Sequence, residues 1–203
     1  MNSWCRNLEL LIKSRNSLIW IRTKEEERLE KLINFSCERL NIKRFICWDC
    51  VNGIKGLLNE QGKFSNNPLG VLNWLKEQSS EVSTVLLLKD FHKFYDDPSI
   101  NRTIKELSSA LKKTSHNLII SSHLFPSSEE LDELMTIVNL PLPDRKELKN
   151  LIKKIAINTN SNLEEQDLNE LSIASSGLTE TKVKQVTAKA LAQRGKILSL
   201  IHI

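Results

Sequence analysis

Apolar residues recur along the chain in two rhythms, and the switching between them predicts the fold. Leu8, Leu11 and Ile12 share one face of a helix over residues 4–15. Ser17-Leu18-Ile19-Trp20-Ile21-Arg22 follows as a short unbroken apolar run, which predicts a buried strand. Thr23-x-x-Glu26 has the spacing of a capping box, and Leu29, Leu32 and Ile33 stripe the helix it would open, out to about Leu40. A second strand is predicted over Arg44–Asp49. From Asn52 to Asn67 the chain turns polar, and Gly53, Gly56 and several asparagines predict loop. Pro68 can open a helix, where its missing N–H is harmless, with Leu69, Val71, Leu72 and Leu75 on its apolar side. The run Ser83-Thr84-Val85-Leu86-Leu87-Leu88-Lys89 does not alternate, so it predicts a central strand covered on both faces. Asp97-Pro98 marks a turn into a helix over 99–113 bearing Ile100, Ile104, Leu107 and Leu111. A fourth strand is Asn117–Ser122, Ser127-x-x-Glu130 caps a short helix through Leu134, and Thr136–Leu140 is a fifth strand.

Strands that alternate with helices of this length predict an α/β class fold: a mostly parallel five-stranded sheet with helices on both faces. Pro141-Leu142-Pro143 closes the sheet region, because proline cannot continue a ladder. Beyond it the rhythm is helical throughout. Asp144-x-x-Glu147 and Asn162-x-x-Glu165 have capping spacing, Gly177 ends a helix, and Thr179 opens the last one, with Val183, Val186, Ala190 and Leu191. The expected division is an α/β domain over 1–143 and a small helical, lid-like subdomain over 144–203, with an apolar tail from Ile197 to Ile203.

A five-stranded unit followed by a helical lid is the P-loop-NTPase-like layout of AAA-type ATPases, whose chemistry sits at the strand ends. Nucleotide binding there needs a glycine-rich loop, G-x-x-x-x-G-K-[ST], whose backbone N–H groups cradle phosphate at a helix N-terminus. Here the first strand runs into Arg22-Thr23-Lys24-Glu25-Glu26-Glu27-Arg28, and no match to the motif occurs in the 203 residues. Three consecutive glutamates occupy the place of the phosphates, and like charge repels that ligand. The third strand ends with one carboxylate, Asp90, and Phe91 stands where a second acid would activate water. Ser122 holds a sensor-like position. Ser121, His123 and Asp90 have the residue types of a nucleophilic triad, but no G-x-S-x-G accompanies them. His92, His116 and His123 lack a metal-ligand spacing such as H-E-x-x-H, and His202 lies in the tail. No catalytic, cofactor-binding or metal-binding residue is assigned on this reading.

Composition adds little that changes this picture. Among the cysteines at 5, 37, 47 and 50, Cys47 and Cys50 form C-x-x-C, but in a strand these positions face opposite ways, and Cys37 and His92 offer no paired spacing. They read as structural thiols of a reducing compartment. The net charge of +4 comes from scattered lysines and arginines. Lys89, Arg102, Lys112 and Lys113 are the candidates for a basic patch, but Trp48, Trp74 and Phe64 do not interleave with them, which leaves nucleic-acid binding as an alternative only. Leu8–Lys13 is too short and charged for a signal peptide, and no apolar run is long enough to span a membrane.

Four stretches carry a resemblance: Ile21-Arg22-Thr23-Lys24-Glu25-Glu26-Glu27-Arg28, then Leu86-Leu87-Leu88-Lys89-Asp90-Phe91-His92-Lys93-Phe94, then Asp97-Pro98-Ser99-Ile100-Asn101-Arg102, and Val138-Asn139-Leu140-Pro141-Leu142-Pro143-Asp144-Arg145. Through them the chain, from about Leu8 to Arg194, resembles the N-terminal, degenerate ATPase-like region of the conserved hypothetical AAA-type ATPases of algal plastids and cyanobacteria. Full-length members look like two modules, the second a complete AAA domain. The resemblance implies plastid stroma or cyanobacterial cytoplasm, with ATP and magnesium belonging to the complete AAA domain. It carries over no catalytic residue. The expected function is a catalytically inactive AAA-like module for protein interaction or assembly, its partner an AAA-type ATPase domain or a second copy. The alternatives are nucleic-acid binding, ATP binding by family description alone, or a non-functional remnant. The chain is expected to be a fragment, a split-gene product or a shortened protein.

Overall fold

The computed structural model describes residues 3–125, 131, 133–159, 161 and 163–194. The apolar runs form strands β1 (Leu18–Arg22), β2 (Arg44–Asp49), β3 (Gly53–Lys55), β4 (Thr84–Lys89), β5 (His116–Ser122) and β6 (Thr136–Asn139). They pair into one sheet in the order β3-β2-β4-β5-β1-β6. All neighbours are parallel except β2 and β3. The helices of this unit are α1 (Ser3–Lys13), α2 (Glu26–Arg39), α3 (Pro68–Lys76) and α4 (Pro98–Leu111).

Strand periodicity sorts the core into two layers. Trp20, Trp48, Leu86, Leu88, Leu118 and Ile120 face one side and pack against α3 and α4. Ile19, Ile21, Cys47, Val85, Leu87 and Ile119 face the other and pack against α1 and α2. β4 and β5 are buried along nearly their whole length, as their unbroken apolar runs require. Helix starts follow local chemistry. Asn67 accepts from the Gly70 N–H ahead of Pro68, and the Asp97 carboxylate accepts from Ser99 and Ile100 ahead of Pro98.

Two expectations need correction in this unit. The stretch read as loop after Asp49 contains β3, so the sheet has six strands among the described residues rather than five. Asp49 closes the turn by accepting from Val51 and Asn52, and Gly53 takes φ +66, where a Cβ would lie 2.4 Å from the Lys63 carbonyl oxygen. Ile54, opposite Trp48, is thereby fully buried. The second correction concerns Thr23 and Glu26, which do not form a capping box. α2 begins at Glu26, its flanking residue is Glu25, and the Thr23 hydroxyl instead accepts from the Glu25 N–H in a local turn. The helix expected from Ser127 through Leu134 falls largely outside the described residues.

Contacts divide the chain between Leu140 and Pro141. The second unit, considered by itself, contains α5 (Arg145–Asn158), α6 (Glu165–Ala174) and α7 (Glu180–Arg194). Its core is Leu148, Ile152, Ala156, Leu168, Leu171 and Val183. Asp144 and Glu147 form the expected capping box. α6 is capped differently from expectation: its flanking residue is Glu164, whose N–H is taken by Asp167, and the start lies beyond the proposed Asn162. Gly177 at φ +84 and the Thr179 hydroxyl, which accepts from Lys182, separate α6 from α7 as expected. The tail from Ile197 lies outside the described residues. Among the described residues no helix is long and apolar enough to cross a membrane.

Candidate functional site

The carboxyl ends of β1, β4 and β5 lie side by side, and in open α/β sheets this edge is where ligands bind. At the end of β1 the turn into α2 is tightly committed to its own groups. The Thr23 N–H donates to the Ser122 carbonyl at 2.9 Å, and the Glu25 N–H is taken by the Thr23 hydroxyl. Glu25 and Arg28 form an ion pair of 2.8 Å with side chains 5% and 4% exposed. Two further carboxylates, Glu26 and Glu27, sit in the first turn of α2, where the helix dipole favours them. A phosphate loop needs convergent backbone N–H groups and a positive field. This turn offers two engaged N–H groups, a buried Glu25–Arg28 pair and the carboxylates of Glu26 and Glu27.

At the end of β4, Lys89 pairs with Glu30 of α2 at 2.5 Å. Burial pulls the Lys89 ammonium down, but the hydrogen bond and charge of Glu30 hold it above its ordinary pKa. Asp90 then adopts a left-handed conformation, φ +51, with its N–H donating to the Ser121 carbonyl. That turn swings Phe91 under the sheet, fully buried, 5.8 Å from Trp48 and 5.5 Å from Phe94 between ring centroids. The position read as a lost second acid is therefore a core anchor. Burial, and then the charge of Asp90, push the Glu26 carboxyl above its usual range.

Of the residues considered from sequence, the structure joins some and separates others. Ser122 does not face a ligand position: its hydroxyl donates to the Leu124 carbonyl. The Ser121 hydroxyl is buried with no hydrogen-bond partner in the structure, so Ser121, His123 and Asp90 do not form a nucleophilic relay. His116 sits at the opposite end of β5, its Nε2 3.4 Å from the Gln78 carbonyl. Asp90, His92 and His123 do converge, with one ligand-type atom from each lying within 4.8 Å of the others. Sequence spacing missed this group because the histidines follow different strands. The available signal was that both positions lie just past the ends of adjacent parallel strands.

Cys47 packs in the α1/α2 layer and Cys50 against the α3/α4 layer, the opposite placement expected of them. All four cysteines are free thiols. Burial pushes Cys37 and Cys47 up to about 12, which leaves them protonated and inert. The proposed basic patch is not assembled. Lys89 is at the carboxyl end of β4 and paired with Glu30, Arg102 pairs with Glu106, and Lys112 and Lys113 follow α4 near the opposite sheet edge, where β5 begins.

Comparison with known proteins agrees with this architecture. Residues 4–140 match the SpoVK-like AAA ATPase N-terminal domain and residues 146–200 its second domain. The protein described as uncharacterized AAA domain-containing protein ycf46 of Gracilaria tenuistipitata var. liui is 33% identical over 204 residues, covering 99% of this chain and 41% of the relative. Its counterpart in Guillardia theta is 32% identical over 190 residues, covering 94% and 38%. The chain thus spans about two fifths of the length of these algal plastid relatives. Among solved structures, a chain of the E. coli MS115-1 HORMA:CdnC:Trip13 complex superposes with TM-score 0.64 at 10% identity, covering 98% of this chain and 86% of that one. Domain III of the Thermotoga maritima replication initiation protein DnaA superposes with TM-score 0.54 at 14% identity, covering 98% and 90%. These likenesses place the fold among AAA+ P-loop-NTPase-like folds, a mostly parallel sheet flanked by helices with a small helical unit after it. The matches over 4–140 and 146–200 make the chain a member of the SpoVK-like AAA ATPase family, comprising that family's N-terminal and second domains.

Proposed function

We propose that this chain is a catalytically inactive AAA-like module that serves protein interaction or assembly within an AAA-type ATPase system of plastid stroma or cyanobacterial cytoplasm. The observation that carries the reading is the β1–α2 turn. Its position is that of a phosphate loop, yet it is filled by the buried Glu25–Arg28 pair and the carboxylates of Glu26 and Glu27. Among the described residues the sheet meanwhile keeps a buried apolar layer on each face. A fold kept intact around a site that repels phosphate is suited to contact rather than to chemistry. Nucleotide sites of AAA-type proteins are built between neighbouring modules, so a module of this kind supports an active neighbour without hydrolysing ATP itself. The curated relatives, of which the chain matches about two fifths, are themselves described as AAA domain proteins, which fits an active AAA domain as the neighbour.

The test is recovery of tagged chain from its native host, with identification of what co-purifies, followed by reconstitution from purified components. The proposal expects an AAA-type ATPase domain to co-purify and to bind the purified chain directly. A monomer that binds no AAA-type domain in either experiment, in a host unaffected by deletion of its gene, contradicts it.

A further inference from the structure

The strongest unassigned cluster lies where β4 and β5 end. These strands are parallel and in register, Lys89 opposite Ser121, so the residues just beyond them emerge side by side. Asp90 turns through a left-handed conformation, the turn Phe91–Phe94 follows, and burial of Phe91 anchors that turn to the core. His92 is thereby folded back beside His123, with ring centroids 5.2 Å apart and planes at 88°. The His92 Nδ1 lies 3.8 Å from an Asp90 carboxylate oxygen, too far for a hydrogen bond.

Two independent observations make this more than a chance cluster. The ligand-type atoms of Asp90, His92 and His123 lie within 4.8 Å of one another. The His92 side chain is only 8% exposed, and neither of its ring nitrogens has a hydrogen-bond partner in the structure. A buried imidazole without hydrogen-bond partners requires an explanation, and an ion held by one of its nitrogens beside a carboxylate and a second imidazole supplies one. Phe91 fixes His92, whereas the Asp90 side chain is 57% exposed and His123 is exposed, so both can rotate inward.

We propose that Asp90, His92 and His123 bind a divalent transition-metal ion of the zinc class, with an outward position left for water. Two imidazoles and one carboxylate suit zinc and its neighbours. They do not suit magnesium, which prefers an all-oxygen shell. Zinc–ligand bonds of about 2.0–2.2 Å place the ligand atoms of a tetrahedral site about 3.4 Å apart. Rotation of the two exposed side chains supplies the contraction from the present spacing. The ion would tie the end of β4 to the end of β5 across the sheet edge.

The test uses tag-free full chain, stripped with chelator and titrated with Zn²⁺ by competition and with Co²⁺ by absorption. The expected result is one ion per chain and tetrahedral cobalt bands without a thiolate charge-transfer band. His123→Ala and Asp90→Asn should each weaken affinity by at least about 10-fold, the smallest loss seen even for groups that only support metal ligands. Both side chains are exposed, and asparagine tolerates the left-handed backbone at 90, so the circular dichroism and melting of the metal-free variants should match the parent. Failure of Zn²⁺ and Co²⁺ to bind overturns the proposal. So does binding that is unchanged in both variants, or binding that carries a thiolate band and disappears with Cys50→Ser.

Discussion

Replacing Phe91 with glutamate, the change that would restore an acid at the end of β4, is expected to unfold the α/β unit rather than create a water-activating site. Phe91 is fully buried and packs on Trp48 and Phe94. Truncation to alanine removes that packing and leaves a cavity, at a cost of about 3–5 kcal/mol. Glutamate adds the cost of burying a carboxylate with no partner in place. Urea denaturation followed by tryptophan fluorescence reads the effect directly, since Trp48 is in contact with the site. A Phe91→Glu protein as stable as the parent would mean that the side chain can leave the core, and the anchoring role assigned to it would be wrong.

The second large effect is expected at the β1–α2 turn. Arg28→Ala removes the cation paired with the buried Glu25 carboxylate, and breaking a buried ion pair on one side costs about 3–5 kcal/mol. The double change Glu25→Leu with Arg28→Met removes both charges while keeping the volume roughly constant, and such replacements are close to neutral or stabilising. The expected pattern is therefore a large loss for the single variant and recovery in the double. Equal losses in both would show that packing, and not charge pairing, holds this turn. Neither variant should gain nucleotide affinity, because Glu26, Glu27 and the engaged backbone N–H of residue 25 remain at the helix start.

The parts of this fold that were legible in the sequence are those written as uninterrupted apolar runs. β1, β4 and β5 are buried on both faces, so each reads as a strand without alternation. Helix starts were legible where local chemistry marks them: Pro68, the Asp97-Pro98 turn, the Asp144/Glu147 capping box and Thr179. The edge strand β3 was hidden because it is three residues long and has one buried anchor, Ile54. Its signal is the pair Asn52-Gly53, a dipeptide favoured in tight hairpins but equally at home in a loop. The Thr23–Glu26 capping box failed because Glu25 is drawn inward by Arg28, which shifts the helix start by residues that a spacing rule does not weigh.

The candidate site divides in the same way. That no glycine-rich loop precedes α2 is a property of consecutive residues and could be read directly. That Glu25 and Arg28 are buried together, and that Phe91 is a core anchor, depends on which way each side chain turns after its strand. His92 and His123 are brought together by the register of β4 on β5, a long-range property that no local spacing encodes.

The central claim is that this AAA-like unit holds no working nucleotide site of its own, and calorimetry of the full chain with ATP and magnesium, run beside a phosphate-release assay, tests it most directly. The account predicts no saturable binding at micromolar to low millimolar nucleotide and no turnover above the buffer rate. Micromolar binding with appreciable turnover, abolished by a change at Glu26 or Asp90, would contradict it.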